Sequence, residues 1–309
     1  MKSVTLILCG LLFATFAQAA QLQEMTSFGA NPGKLKMFKY VPDNAKKLAP
    51  VVVLLHGCTQ GASDFDNETG WTKVADQTGT ILLLPQQERD NNGLRCFNWF
   101  LPEHSTRDSG EMASVIDGLK TLQTQHSTNT KKVFVTGLSA GAAMTSAILA
   151  NYPEVFKGGA IVAGLPYGCA NDVMSGIMCM NGINNSRTPE QWGNAVRNAT
   201  NFRGARPSVQ IWQGSNDPFV KPSNAVELEK QWSNVLNSYT DQPIVEELNG
   251  LIKTSYANAN GEIVLESFKV LNAGHGYPIS QSQGCGVPGS YIIETGICAA
   301  EMMAQFWKL

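Results

Sequence analysis

The sequence predicts an α/β protein built on a mostly parallel central sheet with helices on both faces. Two observations lead there. The runs Pro50–Leu55, Thr80–Pro85, Gly159–Ala163 and Val209–Gln213 are short and apolar, as strands buried on both faces are. Between them lie segments of helical period, so strands and helices alternate. The 309 residues give a large core, and no internal repeat or interdomain linker divides them.

Taken in order, Met1 to Ala19 reads as a secretory signal. Lys2 is its charged region, Val4 to Phe16 its apolar region, and Ala17-Gln18-Ala19 a small-x-small cleavage site. The mature chain is expected to start at Ala20 or Gln21. The alternative, a lipoprotein signal ending at Cys9, places Leu8 where a small residue is wanted. One catalytic domain over residues 20–309 follows. Lys36–Pro42 alternates as an early strand, and Pro50–Leu55 is the next. Asp64–Thr78 suits a helix carrying Trp71 and Val74, Thr80–Pro85 a strand, and Arg95–Phe100 a loop. Ser109–Gln125 is amphipathic, with Met112, Val115, Ile116, Leu119 and Leu122 at helical spacing. Val133 to Leu138 is a strand, the residues from Ala140 a helix, and Gly159–Ala163 a strand.

The stretch from Gly164 to Pro207 reads as a long irregular cover, a length usually kept for function. Val209–Gln213 is a strand and Ser223–Leu236 a helix. Asn249-Gly250 and Asn260-Gly261 divide Ile244–Val270 into antiparallel strands. Phe268–Leu271 is expected to be the last strand and Ile297–Trp307 the last helix.

Composition excludes several functions. Net charge is −2 with 16% charged residues, and no basic run with interleaved aromatics points to nucleic acid. No stretch past the signal is long and apolar enough to span a bilayer. Seven cysteines occur. With Cys9 in the signal, Cys58, Cys96, Cys169, Cys179, Cys285 and Cys298 remain, an even set that implies disulfides in an exported chain. Pairing between sequence neighbours is expected: Cys58 with Cys96, Cys169 with Cys179, Cys285 with Cys298. No Cys-x-x-Cys and no histidine at ligand spacing suggests a metal, and no cofactor is expected.

The chemistry centres on Gly137-Leu138-Ser139-Ala140-Gly141, between a predicted strand and a predicted helix. This is the nucleophile elbow of α/β-hydrolases, where a sharp turn lifts the serine above the sheet and glycines clear the neighbouring backbone. A serine nucleophile needs a base and a group to orient it. Of the four histidines, only His275 follows Ser139, as the order Ser, acid, His requires. It sits in Gly274-His275-Gly276, directly after the last predicted strand. His56 belongs to a strand-end turn that its ring is expected to brace. Asp217, after the strand Val209–Gln213, is the expected acid, with Asp172 and Asp241 poorer candidates. The oxyanion donors are expected to be the backbone N–H groups of Ala140 and Cys58. Trp99, Tyr167, Trp192, Trp212 and Tyr277 are candidates for a substrate groove, with core packing the alternative for each.

Leu55-His56-Gly57-Cys58-Thr59-Gln60, Cys96-Phe97-Asn98-Trp99-Phe100, the elbow and the Asn216-Asp217 loop together resemble the esterase family of extracellular poly(3-hydroxybutyrate) depolymerases, which is related to feruloyl and acetylxylan esterases. The resemblance covers nearly the whole mature chain. Tyr291–Cys298, with Phe306-Trp307 beyond it, is more similar to the depolymerase branch. The chain departs from the family in lacking a linker and C-terminal polymer-binding domain, and in having Phe97 after Cys96 where relatives often have Trp. The resemblance implies an α/β-hydrolase that is secreted, acts as a monomer, and hydrolyses poly(3-hydroxybutyrate) or a related short-chain polyhydroxyalkanoate. The alternatives are a feruloyl or acetylxylan esterase acting on plant polysaccharide, and a non-catalytic binding protein on the same fold. The expected partner is thus a polyester or an esterified polysaccharide.

Overall fold

In the computed structural model, residues 20–183, 185–238 and 242–309 are described; the expected signal, residues 1–19, and the poorer acid candidate Asp241 lie outside them. The chain opens with β1 (Gln23–Glu24), β2 (Lys36–Tyr40) and β3 (Val51–Leu55), then α1 (Ala62–Asn67), α2 (Trp71–Thr78) and β4 (Ile81–Gln86). After α3 (Pro102–Ser105) and α4 (Gly110–His126) come β5 (Val133–Leu138), α5 (Ala140–Asn151) and β6 (Gly158–Val162). Next are α6 (Val173–Met180), α7 (Pro189–Asn198), β7 (Ser208–Gly214) and α8 (Ser223–Leu236). Strands β8 (Ile244–Leu248), β9 (Leu251–Ala257) and β10 (Ile263–Val270) precede the short β11 (Tyr277–Ile279) and β12 (Ile292–Glu294), and α9 (Ala299–Trp307) ends the chain.

One sheet runs in the order β1-β2-β4-β3-β5-β6-β7-β10-β9-β8. Its six central strands, β4 to β10 in that order, are parallel, and antiparallel strands flank them on both sides. The two-residue period of each strand divides the core. Val51, Val53, Leu55, Val133, Val135, Ile161 and Ile211 face α4, α5 and α8. Val52, Leu54, Phe134, Leu138, Val162 and Trp212 face α2 and α9. Alternate residues thus fill opposite layers, so both faces need cover and the strands read as unbroken apolar runs.

Three expectations change. The single helix over Asp64–Thr78 is two helices, broken at Gly70. That residue has φ +82°, and a Cβ there would meet Cys285 Sγ at 2.7 Å. The cover between Gly164 and Pro207 is not structureless. Asp172 caps α6 by accepting from Ser175 N at 2.7 Å, and Thr188 and Gln191 form a reciprocal capping box at the start of α7. Finally, β10 is not the last strand: β11 and β12 pair as a small parallel sheet beyond it.

The parallel registers bring the carboxyl ends of the central strands level. Leu55 lies opposite Gly137, Leu138 opposite Val162, Val162 opposite Trp212, and Gly214 opposite Val270. The loops that begin at His56, Ser139, Ser215 and Leu271 therefore leave one edge of the sheet side by side, where open α/β sheets hold their ligands.

Candidate active site

Ser139 stands between β5 and α5 with φ 56° and ψ −115°, a conformation that L side chains rarely adopt. Two glycines let the chain hold it there. A Cβ on Gly137 would come within 2.5 Å of the Gly141 backbone, and a Cβ on Gly141 within 2.2 Å of Leu55 O. The turn is anchored on both sides, by Ser139 N donating to Val162 O at 3.0 Å and Ala143 N to Ser139 O at 2.9 Å. The side chain is half-buried at the head of α5, where the helix dipole favours developing negative charge.

Asp217 follows β7 in a turn that its own carboxylate closes. Oδ1 accepts from Phe219 N and Val220 N, each at 2.9 Å. Oδ2 accepts from Gln213 Nε2 at 3.0 Å and meets His275 Nδ1 at 2.7 Å. Four donors thus compensate a side chain with no exposed surface. The acid and histidine loops are packed backbone to backbone. Asn216 N donates to Ala273 O at 2.9 Å, and a Cβ on Gly214 would lie 2.2 Å from Gly274 O. Because Nδ1 faces a carboxylate, it carries the proton in the neutral ring, which leaves Nε2 as the acceptor. Phe219 and Tyr291 set their rings edge-on to the imidazole, at centroid distances of 5.5 and 5.7 Å. Among the described residues, no hydrogen bond joins Ser139 Oγ to His275.

The loop after β3 is built as a rigid shelf. His56 is fully buried. Its Nε2 accepts from Gln87 N at 3.0 Å, and its Nδ1 donates to Gly57 O at 2.7 Å. Burial pushes its pKa down to about 4, the Gly57 carbonyl opposing, so the ring stays a neutral brace. Gln60 reaches both ways: Oε1 accepts from Gly57 N at 2.8 Å, and Nε2 donates to Ser290 O at 2.6 Å beside Tyr291. Cys58 is bonded to Cys96 with a Cα separation of 4.2 Å, and Thr59 N donates to Leu94 O at 2.6 Å. In the chain-entropy description, closing that loop of 38 residues stabilises the fold by about 4 kcal/mol. The other bonds join Cys169 with Cys179 and Cys285 with Cys298. Among the described residues, the N–H groups of Cys58 and Ala140 have no protein acceptor.

A buried carboxyl that sequence reasoning missed holds the Cys96–Trp99 loop. Glu111 lies in the first turn of α4 and is fully buried. It accepts from Asn98 N at 2.8 Å, Asn98 Nδ2 at 2.5 Å and Gln87 Nε2 at 2.5 Å. The available signal was an acid on the apolar stripe that continues through Val115, Leu119 and Leu122. Burial raises the Glu111 pKa from 4.5 to about 7, and its three donors only partly offset this. A raised folded-state pKa favours the protonated form. The contribution is complete below about pH 4.5 and is lost as pH rises through about 7, a swing on the order of 3 kcal/mol. Urea unfolding is therefore expected to show stability falling across that window, with Glu111→Gln flattening the profile. An unchanged slope in the variant would remove Glu111 as its source.

The five candidate groove aromatics separate. Trp192 is buried, giving Nε1–H to Glu227 at 2.7 Å beneath Arg187, whose guanidinium lies 4.2 Å from its ring. Trp212 is buried and stacked on Phe268 at 3.9 Å. Tyr277 is buried in β11, where its hydroxyl accepts from Trp71 Nε1 at 2.9 Å. These three are core residues, a correction to the expected groove. Trp99 and Tyr167 are half-buried and, with Pro166, Cys169, Ala143 and Ala147, line a cavity of about 130 Å³. Ala143 is one helical turn past Ser139. Larger depressions of about 630 and 360 Å³ lie around Tyr40 and Asp76 and around Tyr256 and Asn234, and neither is lined by Ser139, Asp217 or His275. Asp172, the poorer acid candidate, is exposed and serves as the α6 cap. Among the described residues no cluster of three or more His, Cys, Asp or Glu could hold a metal.

The family described as "Esterase PHB depolymerase" matches residues 35–262. Poly(3-hydroxyalkanoate) depolymerase C of Paucimonas lemoignei is 37% identical over 293 residues, 93% of this chain and 70% of that protein. Feruloyl esterase B of Thermothelomyces thermophilus is 34% identical over 241 residues, 75% of this chain and 81% of the other. Among solved structures, an acetyl xylan esterase from Aspergillus awamori superposes with a TM-score of 0.77 at 27% identity, covering 86% of this chain and 98% of that one.

Proposed function

The chain belongs to the esterase family of PHB depolymerases and is a serine carboxylic ester hydrolase with the α/β-hydrolase fold; from that membership we infer that it cleaves a short-chain polyhydroxyalkanoate through an acyl-enzyme on Ser139. The observation that carries the reading is the 2.7 Å bond between Asp217 and His275, beside the strained Ser139 at one sheet edge.

Ser139 Oγ attacks the ester carbonyl carbon as its proton passes to His275 Nε2. The oxyanion is held by the N–H groups of Cys58 and Ala140, which are free to receive it. Asp217 stabilises the imidazolium through Nδ1–H. Collapse breaks the bond to the alkoxy oxygen, which leaves with the His275 proton. Water then attacks the acyl carbon, giving its proton to His275, and Ser139 departs as the hydroxyl. The Ser–His hydrogen bond closes as the substrate seats, a tightening common at such sites.

The cavity beside Trp99 and Tyr167 has room for about four water-sized groups, a volume suited to a short acyl unit. An aliphatic polyester is favoured over feruloylated or acetylated polysaccharide by the 37% identity of the depolymerase over 93% of this chain, against 34% over 75% for the feruloyl esterase, and by the exposed apolar side chains of α6. Export is supported by three disulfides and by the expected signal; among the described residues no helix is long and apolar enough to cross a membrane. The protein acts as a monomer, with residues 20–309 forming one catalytic domain.

The test sets release of soluble 3-hydroxybutyrate from amorphous poly(3-hydroxybutyrate) beside hydrolysis of methyl ferulate and of acetylated xylan. Polymer degradation with little ferulate or xylan turnover is expected. Ferulate or acetyl release without polymer clearing would reassign the substrate. No turnover of any ester would leave a binding protein on this fold.

A further inference from the structure

Helix α6 is apolar on its outward side as well as its inward one. It buries Gly176 and Cys179 and half-buries Met178 and Met180, while Val173, Met174 and Ile177 are 58%, 66% and 51% exposed. Ile183, just past its end, is 52% exposed. A surface helix normally turns its large apolar residues toward the core and its polar ones outward. The inward side is satisfied: Met180 and Cys179 pack with Ala143, Leu165 and Val220, and a Cβ on Gly176 would lie 3.1 Å from Phe100 Cβ and 3.7 Å from the Trp99 ring. The outward side presents apolar bulk to water and is held there. The Cys169–Cys179 bond and the Asp172–Ser175 capping box hold its start and its body, and the donation from Lys221 N to Met180 O at 2.9 Å ties its end to the loop that follows Asp217. In that same loop Phe219, 51% exposed, meets His275. Exposed apolar side chains therefore stand both on α6 and, in the loop bonded to its end, at His275.

We propose that the outward face of α6 is the surface by which the enzyme adsorbs to a solid, neutral aliphatic polyester. This rests on the polyester reading above and adds how the insoluble substrate is held. Charge favours this occupant. Between Lys157 and Arg187 the sequence has one ionisable carboxylate or cationic side chain, Asp172, which is engaged in the cap. A polyester surface carries no charge to match, whereas attachment to an anionic lipid surface draws on lysine and arginine, which α6 lacks. Chemistry favours it as well. The exposed groups are aliphatic and thioether, which fit methyl-bearing polyester chains; a polysaccharide offers hydroxyls that these groups cannot meet. Proximity adds a geometric reason, because α6 packs on Trp99 and is bonded to the loop that carries Phe219 to His275, so adsorption on α6 holds the solid close to the site.

The experiment compares the wild type with Met174→Gln/Ile177→Gln, two exposed positions outside the ester-binding cavity, and with Met174→Lys as a second variant. Adsorption is read by depletion onto amorphous poly(3-hydroxybutyrate) granules. Both variants are expected to adsorb at least tenfold more weakly, with kcat/KM on soluble p-nitrophenyl butyrate within twofold of wild type. Equal adsorption by either folded variant would overturn the proposal. So would wild-type binding to phosphatidylcholine vesicles as tight as to granules and weakened in the variants, which assigns the face to lipid. A wild-type dimer by sedimentation that the variants dissolve would assign it to a second copy. Wild type that adsorbs through α6 yet releases no 3-hydroxybutyrate would overturn the substrate reading and leave the docking face standing. Release with α6-independent adsorption would do the reverse.

Discussion

Ser139→Ala is expected to fold like the wild type and to lose on the order of 10⁶-fold in kcat on a soluble butyrate ester, keeping only what substrate binding and the oxyanion donors supply. The fold is expected to survive because the turn depends on backbone contacts and on Gly137 and Gly141, not on the hydroxyl. Alanine keeps the Cβ and the strained φ, so the melting temperature should move little. The loss is large because no other group can take the role: the substrate carbonyl would still meet the Cys58 and Ala140 N–H groups, but nothing attacks it. A measured drop of less than tenfold, with the protein free of wild-type contamination, would mean that the nucleophile lies elsewhere.

The second large effect is expected at Asp217→Asn, roughly 10⁴-fold in kcat. The hydrogen-bond pattern explains why a change of one atom costs so much. Phe219 N–H and Val220 N–H both point at Oδ1, so the amide oxygen of asparagine must take that side. Its NH₂ group then faces His275 Nδ1 and Gln213 Nε2, which in the native site both donate to Oδ2. Two donors face donors, and His275 can accept from the amide only by moving its own proton to Nε2. That tautomer cannot take the Ser139 proton. The measurement is kcat on the soluble ester, with neutral imidazole tautomers read by ¹⁵N NMR. Near-normal turnover with the Nδ1–H tautomer retained would move the acid to another residue.

The sheet and the candidate catalytic residues were legible because each left a local trace. Val51–Leu55 and Val133–Leu138 are unbroken apolar runs because both faces are covered, and Gly-x-Ser-x-Gly records two backbone contacts too close for any Cβ. Asp217 and His275 stand out because each follows a strand on the same sheet edge. The cover was less legible. α6 has apolar residues on both its inward and outward sides, so it gives no helical stripe, although its capping box and that of α7 were available as signals.

The groove aromatics failed for particular reasons. In β7, Ile211 and Trp212 face opposite layers and both are buried, so strand parity could not say that Trp212 lies under Phe268 and not at the site. Tyr277 is only two residues from His275, but β11 turns it inward onto Trp71. Tyr291, by contrast, comes from a segment that read only as family likeness. It reaches His275 because β12 pairs with β11 and Gln60 binds Ser290 O. Glu111 belongs to the same class. Its role depends on Asn98 and Gln87, which are distant in sequence and meet only in the fold.

On the proposed mechanism one serine, activated by one histidine, carries the ester chemistry. Reaction with diisopropyl fluorophosphate followed by peptide mapping tests it most directly. A single adduct is expected, on the peptide containing Ser139, formed in step with the loss of ester hydrolysis, with much slower labelling in His275→Ala. An adduct on another residue, or full hydrolysis surviving stoichiometric labelling of Ser139, would contradict it.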